Sequence, residues 1–167
     1  SSCSDPNYVK IINSTDDGST WDSDNSPYDA CLDLYGVSFG NNTFVGVGQS
    51  GKIIRSTDNG SSWDNVTSGN NYYPFGSGIF YGVSFGNNTF VAVGQSGKII
   101  RSTDNGSSWD NVTSVDSTNL YGVSYGNNTF VAVGSGGKII RSDDNGSTFD
   151  DVTSEASINL NGVTFGD

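Results

Sequence analysis

An all-β architecture of short antiparallel strands is what this sequence predicts, and three observations predict it. The 167 residues include 23 Gly and only 33% hydrophobic side chains, with Ser, Thr, Asn and Asp filling the difference. These residues favour turns and disfavour helix interiors. Aromatic residues nevertheless make up 12% of the chain, which sets it apart from disordered sequences of low hydropathy. The third observation is self-similarity. Residues 35–68 read YGVSFGNNTFVGVGQSGKIIRSTDNGSSWDNVTS, and 81–114 repeat them with one change, Gly46 to Ala92. Residues 121–154 repeat the unit again with seven changes from the second copy. The period is 46 residues and then 40, the excess being an insertion of six within 69–79.

Each unit divides into four strands. In the second copy, 81–85 alternates, placing Tyr81, Val83 and Phe85 on one face and Gly82 and Ser84 on the other. Residues 89–93 are apolar on both faces, as in a strand covered on both sides. Residues 98–101 and 108–113 supply the third and fourth strands, and the breaks GNN, GQSG and DNG carry turn chemistry. Four antiparallel strands every ~40–45 residues is the pattern of a β-propeller blade. The termini carry fragments of the same unit. KIINSTDDGSTWD at 10–22 matches the second half of a repeat, and LNGVTFGD at 160–167 matches its beginning. The expected organisation is therefore a half-blade segment at 1–33 and blades at 34–79, 80–119 and 120–159. Residues 160–167 open a further blade shared by the two termini, within one chain or between two. About four blades result, one of them incomplete, since 1–7 is too polar to supply its second strand.

The turn before the fourth strand reads STDDGSTW at 14–21, STDNGSSW at 56–63 and 102–109, and SDDNGSTF at 142–149. It resembles the Asp-box, the S-x-D-x-G-x-[ST]-W hairpin of bacterial neuraminidase repeats. The wider unit is similar to repeats of photosystem II assembly factor-like and bacterial surface propellers. The resemblance implies structural roles for Asp16, Asp58, Asp104 and Asp144, which would accept hydrogen bonds from their own turns. Gly18, Gly60, Gly106 and Gly146 would supply positive φ. Trp21, Trp63, Trp109 and Phe149 would fill space between elements. Calcium is the competing reading of the paired Asp16–Asp17 and Asp143–Asp144, but no bidentate Glu accompanies them, and neither metal nor cofactor is expected.

Composition narrows the chemistry. With 18 acidic and 7 basic residues, the formal charge is −11, which repels phosphate backbones and anionic lipid. No stretch approaches the ~20 apolar residues of a membrane helix. Without His, Ser-His-Asp and Cys-His catalysis and histidine-ligated zinc are excluded. Sialidase-type hydrolysis, which the resemblance raises, needs a cluster of arginines beside a Tyr–Glu pair. Here Arg55, Arg101 and Arg141 recur at one place in the repeat, and Glu155 is the single Glu. Symmetry distributes like groups, whereas a catalytic centre needs unlike groups converging. A non-enzymatic role is expected.

Cys3 and Cys31 read as one disulfide in an oxidising compartment, closing a loop of roughly 30 residues worth about 3–4 kcal/mol. The start at Ser1 fits a processed, secreted protein. Sequons at Asn41, Asn87 and Asn127 in the first hairpin, and at Asn65 and Asn111 on the outer strand, are the expected glycosylation positions. Tyr72, Tyr73 and Phe75 place three aromatics in the insertion, as a contact surface or as a plug. The expected function is an extracellular structural or adhesive module that self-associates head to tail through its incomplete blade. The alternatives are multivalent carbohydrate binding through repeated aromatic pockets and glycoside hydrolysis of sialidase type.

Overall fold

A computed structural model of the chain describes residues 11–22, 33–66, 78–152 and 154–166. The cysteine pair Cys3–Cys31 and the insertion aromatics Tyr72, Tyr73 and Phe75 lie outside the described residues. Three four-stranded antiparallel sheets form three blades. The first contains β1 (Leu34–Gly40), β2 (Thr43–Gly48), β3 (Ile53–Ser56) and β4 (Asp64–Asn65). The second contains β5 (Phe80–Gly86), β6 (Thr89–Gly94), β7 (Ile99–Ser102) and β8 (Asp110–Val112). The third contains β9 (Leu120–Gly126), β10 (Thr129–Gly134), β11 (Ile139–Ser142) and β12 (Asp150–Val152). Strands neighbour one another in sequence order within each sheet, so every connection is a hairpin.

The turn residues account for these hairpins. Asn87 and Asn88 both have positive φ, 46° and 58°, the left-handed pair that a two-residue turn needs to match strand twist. The same pair recurs at Asn41–Asn42 and Asn127–Asn128. Between second and third strands the chain makes a three-residue 3-10 turn, Gln95–Gly97 in the second blade. The second strand is the buried middle of each blade: all six residues of β6 are buried. The fourth strand is shorter than the pattern suggested because Ser108 is held by Asp104 rather than by the ladder.

Cores form between blades, not within them. One cluster joins Val45, Val47 and Ile53 of the first blade to Phe80, Val83, Phe90, Ala92, Ile100 and Trp109 of the second. The next joins Val91, Val93 and Ile99 to Leu120, Phe130, Ala132, Ile140 and Phe149. Each blade thus presents two valines and an isoleucine forward and an aromatic-rich face backward, and burial of these faces drives the stacking. The first strands β1, β5 and β9 lie side by side along the stack.

The fragments occupy opposite ends. Residues 11–22 lie before the first blade, with the Asn13 Cβ 3.6 Å from where a Gly60 Cβ would stand. Residues 160–166 lie after the third, against Gly122 and Gly126 of β9. They take the place of a first strand without a ladder, and among the described residues no second strand stands beside them. The architecture is that of a β-propeller whose incomplete blade is divided between its two ends. Among the described residues no helix is long and apolar enough to cross a membrane.

Candidate functional site

The S-x-D-x-G turns are built alike. In the first blade the Ser56 hydroxyl donates to Asp58 Oδ1 at 2.8 Å and accepts from the Gly60 N–H at 2.9 Å. Asp58 also accepts from the Ser62 N–H at 2.9 Å and the Ser62 hydroxyl at 2.6 Å. The Ser62 hydroxyl, its N–H and the Ser56 hydroxyl hold the Asp58 carboxyl at about 2. Asp16 is held at about 2 by the Thr20 hydroxyl, the Thr20 N–H and Ser14. Burial pushes Asp144 up, but the Thr148 N–H and hydroxyl and Ser142 outweigh it and leave it at about 2. Burial likewise opposes the fall at Asp104, where Ser108 and Ser102 prevail. Hydrogen bonding to the charged form is the cause throughout. Gly18, Gly60, Gly106 and Gly146 have φ between 76° and 84°.

The aromatic residue that ends each turn follows the position of its blade. Trp109 is 8% exposed and Phe149 5%, Trp63 is half-buried, and Trp21 is 59% exposed. Trp109 and Phe149 are covered by the preceding blade, whereas among the described residues no blade precedes the half-blade of Trp21.

Contacts between turns and blades were not legible in the sequence. Arg55 Nε donates to the Asn105 carbonyl at 2.7 Å, and Arg101 Nε to the Asn145 carbonyl at 2.8 Å. Each arginine therefore reaches the turn of the following blade, and its recurrence once per repeat was the available signal. Among the described residues Arg141 meets no such turn, and it pairs through Nη1 with Asp143 at 2.9 Å. Lys138 pairs with Asp116 at 2.6 Å and with Asp151. The sequon residues Asn41, Asn87, Asn127, Asn65 and Asn111 are all exposed. The Asn41 amide nitrogen bonds Asn88 Oδ1 and Asn105 Oδ1 across the blade interface at 3.0 and 3.1 Å. Tyr35, Tyr81 and Tyr121 form a column with ring centroids 6.1 and 5.4 Å apart, and Glu155 is exposed.

The two ends present matched surfaces. A Cβ on Gly40 would stand 2.0 Å from the Phe85 ring, so that glycine is the seat of the ring. Gly86 seats Tyr125 in the same way, and Gly126 seats Phe165. Four residues earlier in each repeat, a Cβ on Gly36 would stand 3.2 Å from the Gly82 Cα, one on Gly82 3.4 Å from the Gly122 Cα, and one on Gly122 3.2 Å from the Gly162 Cα. At the end of the series Gly162 and Gly166 face open space. At its beginning Tyr35, Val37 and Phe39 are 49%, 65% and 49% exposed, whereas Val83, at the place of Val37, is 8% exposed.

A cavity of about 660 Å³ lies between 11–14 and the first blade. Ile11 lines it on one side, and Leu34, Phe44, Gly46, Ile54 and Trp63 on the other.

No protein-family model and no curated protein matches this chain. Solved structures do. YCF48 bound to D1 peptide aligns with a TM-score of 0.64 and 23% identity, over 75% of this chain and 41% of that one. An ancestral GH74 enzyme aligns with a TM-score of 0.66 and 21% identity, over 87% of this chain and 21% of that one. The computationally designed Ika4 protein aligns with a TM-score of 0.60 and 13% identity, over 81% of both chains. This chain thus spans about two fifths of YCF48. At these identities the likeness is one of fold, and the fold is that of a β-propeller.

Proposed function

We propose that this protein is a non-enzymatic, extracellular structural module of Asp-box type that joins copies head to tail. The single observation that carries the reading is the matched pair of ends. Tyr35, Val37 and Phe39 present a ringed face, and Gly162 and Gly166 present the glycine seats that accept such a face three times inside the chain. Placing 160–166 of one copy on β1 of the next repeats a contact the molecule already makes. The contact is heterologous, so repetition yields a ring or a filament. Arg141 of the first copy then meets the Asp17 turn of the second, as Arg55 meets the Asn105 turn. The commitment of Arg55 and Arg101 to neighbouring turns removes them from any convergent catalytic cluster and supports the non-enzymatic reading.

Sedimentation and negative-stain microscopy from micromolar to millimolar protein test the proposal. Association that disappears in Gly166→Trp, with its seat filled, is the expected result. Wild-type protein that remains monomeric across that range refutes it. A second reading, carbohydrate stacking, is favoured by the column of Tyr35, Tyr81 and Tyr121; sugar-induced quenching of tyrosine fluorescence tests it.

A further inference from the structure

Near its start, the first strand of each blade carries the same dipeptide: Tyr35–Gly36, Tyr81–Gly82 and Tyr121–Gly122. Successive side chains of a strand point to opposite faces, so each glycine leaves its own face bare beside a ring on the other. The bare glycines let neighbouring first strands come together. A Cβ on Gly82 would stand 3.4 Å from both the Gly122 Cα and the Tyr121 carbonyl oxygen. That approach brings the adjoining rings into contact. The Tyr81 and Tyr121 centroids lie 5.4 Å apart at an interplanar angle of 62°, edge to face. Tyr35 and Tyr81 stand 6.1 Å apart at 54°.

β5 and β9 lie side by side but belong to different sheets, so the second and third blades meet here through packing rather than through a ladder. Tyr81 and Tyr121 are both half-buried. Their backbones are therefore held in strands while their rings remain open to small solutes. The chain contains neither Met nor His, so one-electron oxidation falls on Tyr, Trp and Cys. Trp109 is shielded at 8% exposure. Tyr125 has Phe130 as its ring neighbour at 4.7 Å, and a phenylalanine forms no phenoxyl radical. The column is where two phenols from different blades touch.

We infer that Tyr81 and Tyr121 form a dityrosine site, at which a one-electron oxidant of the haem-peroxidase class, supplied with hydrogen peroxide, staples the second blade to the third. Each phenol gives one electron to the oxidant and its hydroxyl proton to water, leaving two phenoxyl radicals. A Cε of Tyr81 then bonds to a Cε of Tyr121, and the hydrogen on each of these carbons returns through solvent to the phenol oxygen of its own ring. The two electrons and two protons released reduce one hydrogen peroxide to two waters. Joined rings stand closer than the resting pair, and side-chain rotation closes the gap, since half-exposed rings reorient rapidly. Tyr35 is the poorer partner, being farther away and bonded through its hydroxyl to Asp33. The staple closes a loop of about 40 residues and so restricts the unfolded chain. It requires one copy of the chain only and is independent of the head-to-tail reading.

The test treats the full chain, at low-micromolar concentration, with a haem peroxidase and hydrogen peroxide, and isolates the covalent monomer by gel filtration in denaturant. Blue dityrosine fluorescence in that fraction is expected, together with a linked peptide pair carrying Tyr81 and Tyr121 in the proteolytic mass map. Tyr81→Phe and Tyr121→Phe keep the ring and remove the phenol, and each should abolish the linked pair and most of the fluorescence. Tyr35→Phe should leave both. Oxidation in concentrated urea, where the rings are no longer neighbours, should lose the preference for this pair. The refolded oxidised monomer should melt roughly 10 °C above equally treated Tyr121→Phe. A monomer without dityrosine overturns the inference, as does fluorescence that Tyr121→Phe leaves unchanged or a mass map in which Tyr81 is linked to Tyr35 instead. A linked monomer that melts no higher than treated Tyr121→Phe overturns the staple.

Discussion

Phe44 and Phe90 occupy the same place in near-identical sequence, and comparing their removal isolates what position in the stack contributes. Both follow a buried Thr and precede a buried Val. Phe44 stands 4.5 Å from Phe39 and 6.1 Å from Trp63, and Phe90 stands 4.6 Å from Phe85 and 6.4 Å from Trp109. Their local aromatic setting is therefore the same. The difference is that Phe90 is fully buried under Val45 and Val47, whereas Phe44 is half-buried on the cavity wall. Phe90→Ala removes a closed-in ring and leaves a void, for which about 3–5 kcal/mol is the usual loss. Phe44→Ala enlarges a space that already exists, so the void contributes little and about 2 kcal/mol is expected. For a chain of this size, each kcal/mol moves Tm by about 2–4 °C. Phe90→Ala should thus lower Tm by roughly 10 °C and Phe44→Ala by roughly half that. Thermal unfolding by circular dichroism at low-micromolar protein measures both. Because flanking residues and turns match, unfolded-state effects cancel in the comparison. Equal losses for the two variants would refute the reasoning, and would mean that the face of Phe44 is covered in solution.

The glycine seats make a second such pair. Gly86→Ala drives a methyl to 1.9 Å from the Tyr125 ring and should cost about 2–3 kcal/mol by overpacking. Gly166→Ala, facing open space, should change the urea midpoint of the monomer within about 0.5 kcal/mol. Asp104→Ala removes the acceptor of bonds from Ser102 and from the Ser108 N–H and hydroxyl; about 2 kcal/mol is expected after allowance for solvent screening, read by urea unfolding. The carboxyls of Asp58 and Asp144 are held at about 2 against an ordinary 3.8, so the folded chain binds protons more weakly than the unfolded one. Their contribution is complete above the ordinary value and is lost as pH falls from about 4 toward 2. The urea midpoint should therefore drop between pH 5 and 2.5, and a flat profile would contradict the assignment.

Near-identical copies made the blade legible in the sequence, since identical residues meet identical local demands. Turns showed themselves in Asn-Asn and Asn-Gly pairs, and the two-faced second strand in its unbroken apolar run. What did not show is which copy stands at an edge. Trp21 and Trp109 end the same motif, yet one is 59% exposed and the other 8%, because burial here depends on the neighbouring blade and not on the local sequence. The arginines were similarly opaque. Their repetition argued against a catalytic cluster, but nothing local announces that the Arg55 guanidinium bonds a carbonyl 50 residues away. Gly46 was visible as a single difference between copies and acquired meaning only once its neighbours across the cavity were known.

The substitutions in the third copy bear on the same question. Two of its seven changes, Thr103 to Asp143 and Asn111 to Asp151, introduce carboxylates. Each finds a cation of its own blade: Asp143 takes Arg141, and Asp151 takes Lys138. In the blade before it, Arg101 instead bonds a turn carbonyl of the following blade. In the third blade an acid within the blade takes the charge. The exchange is partial in a telling way. Asp143 binds Nη1, while Arg55 and Arg101 reach the following turn through Nε. The pair with Asp143 thus does not use Arg141 Nε. An exposed ion pair of this kind contributes little to stability. If copies join as proposed, Arg141 Nε is then placed to bond the incoming turn as Arg55 and Arg101 bond theirs.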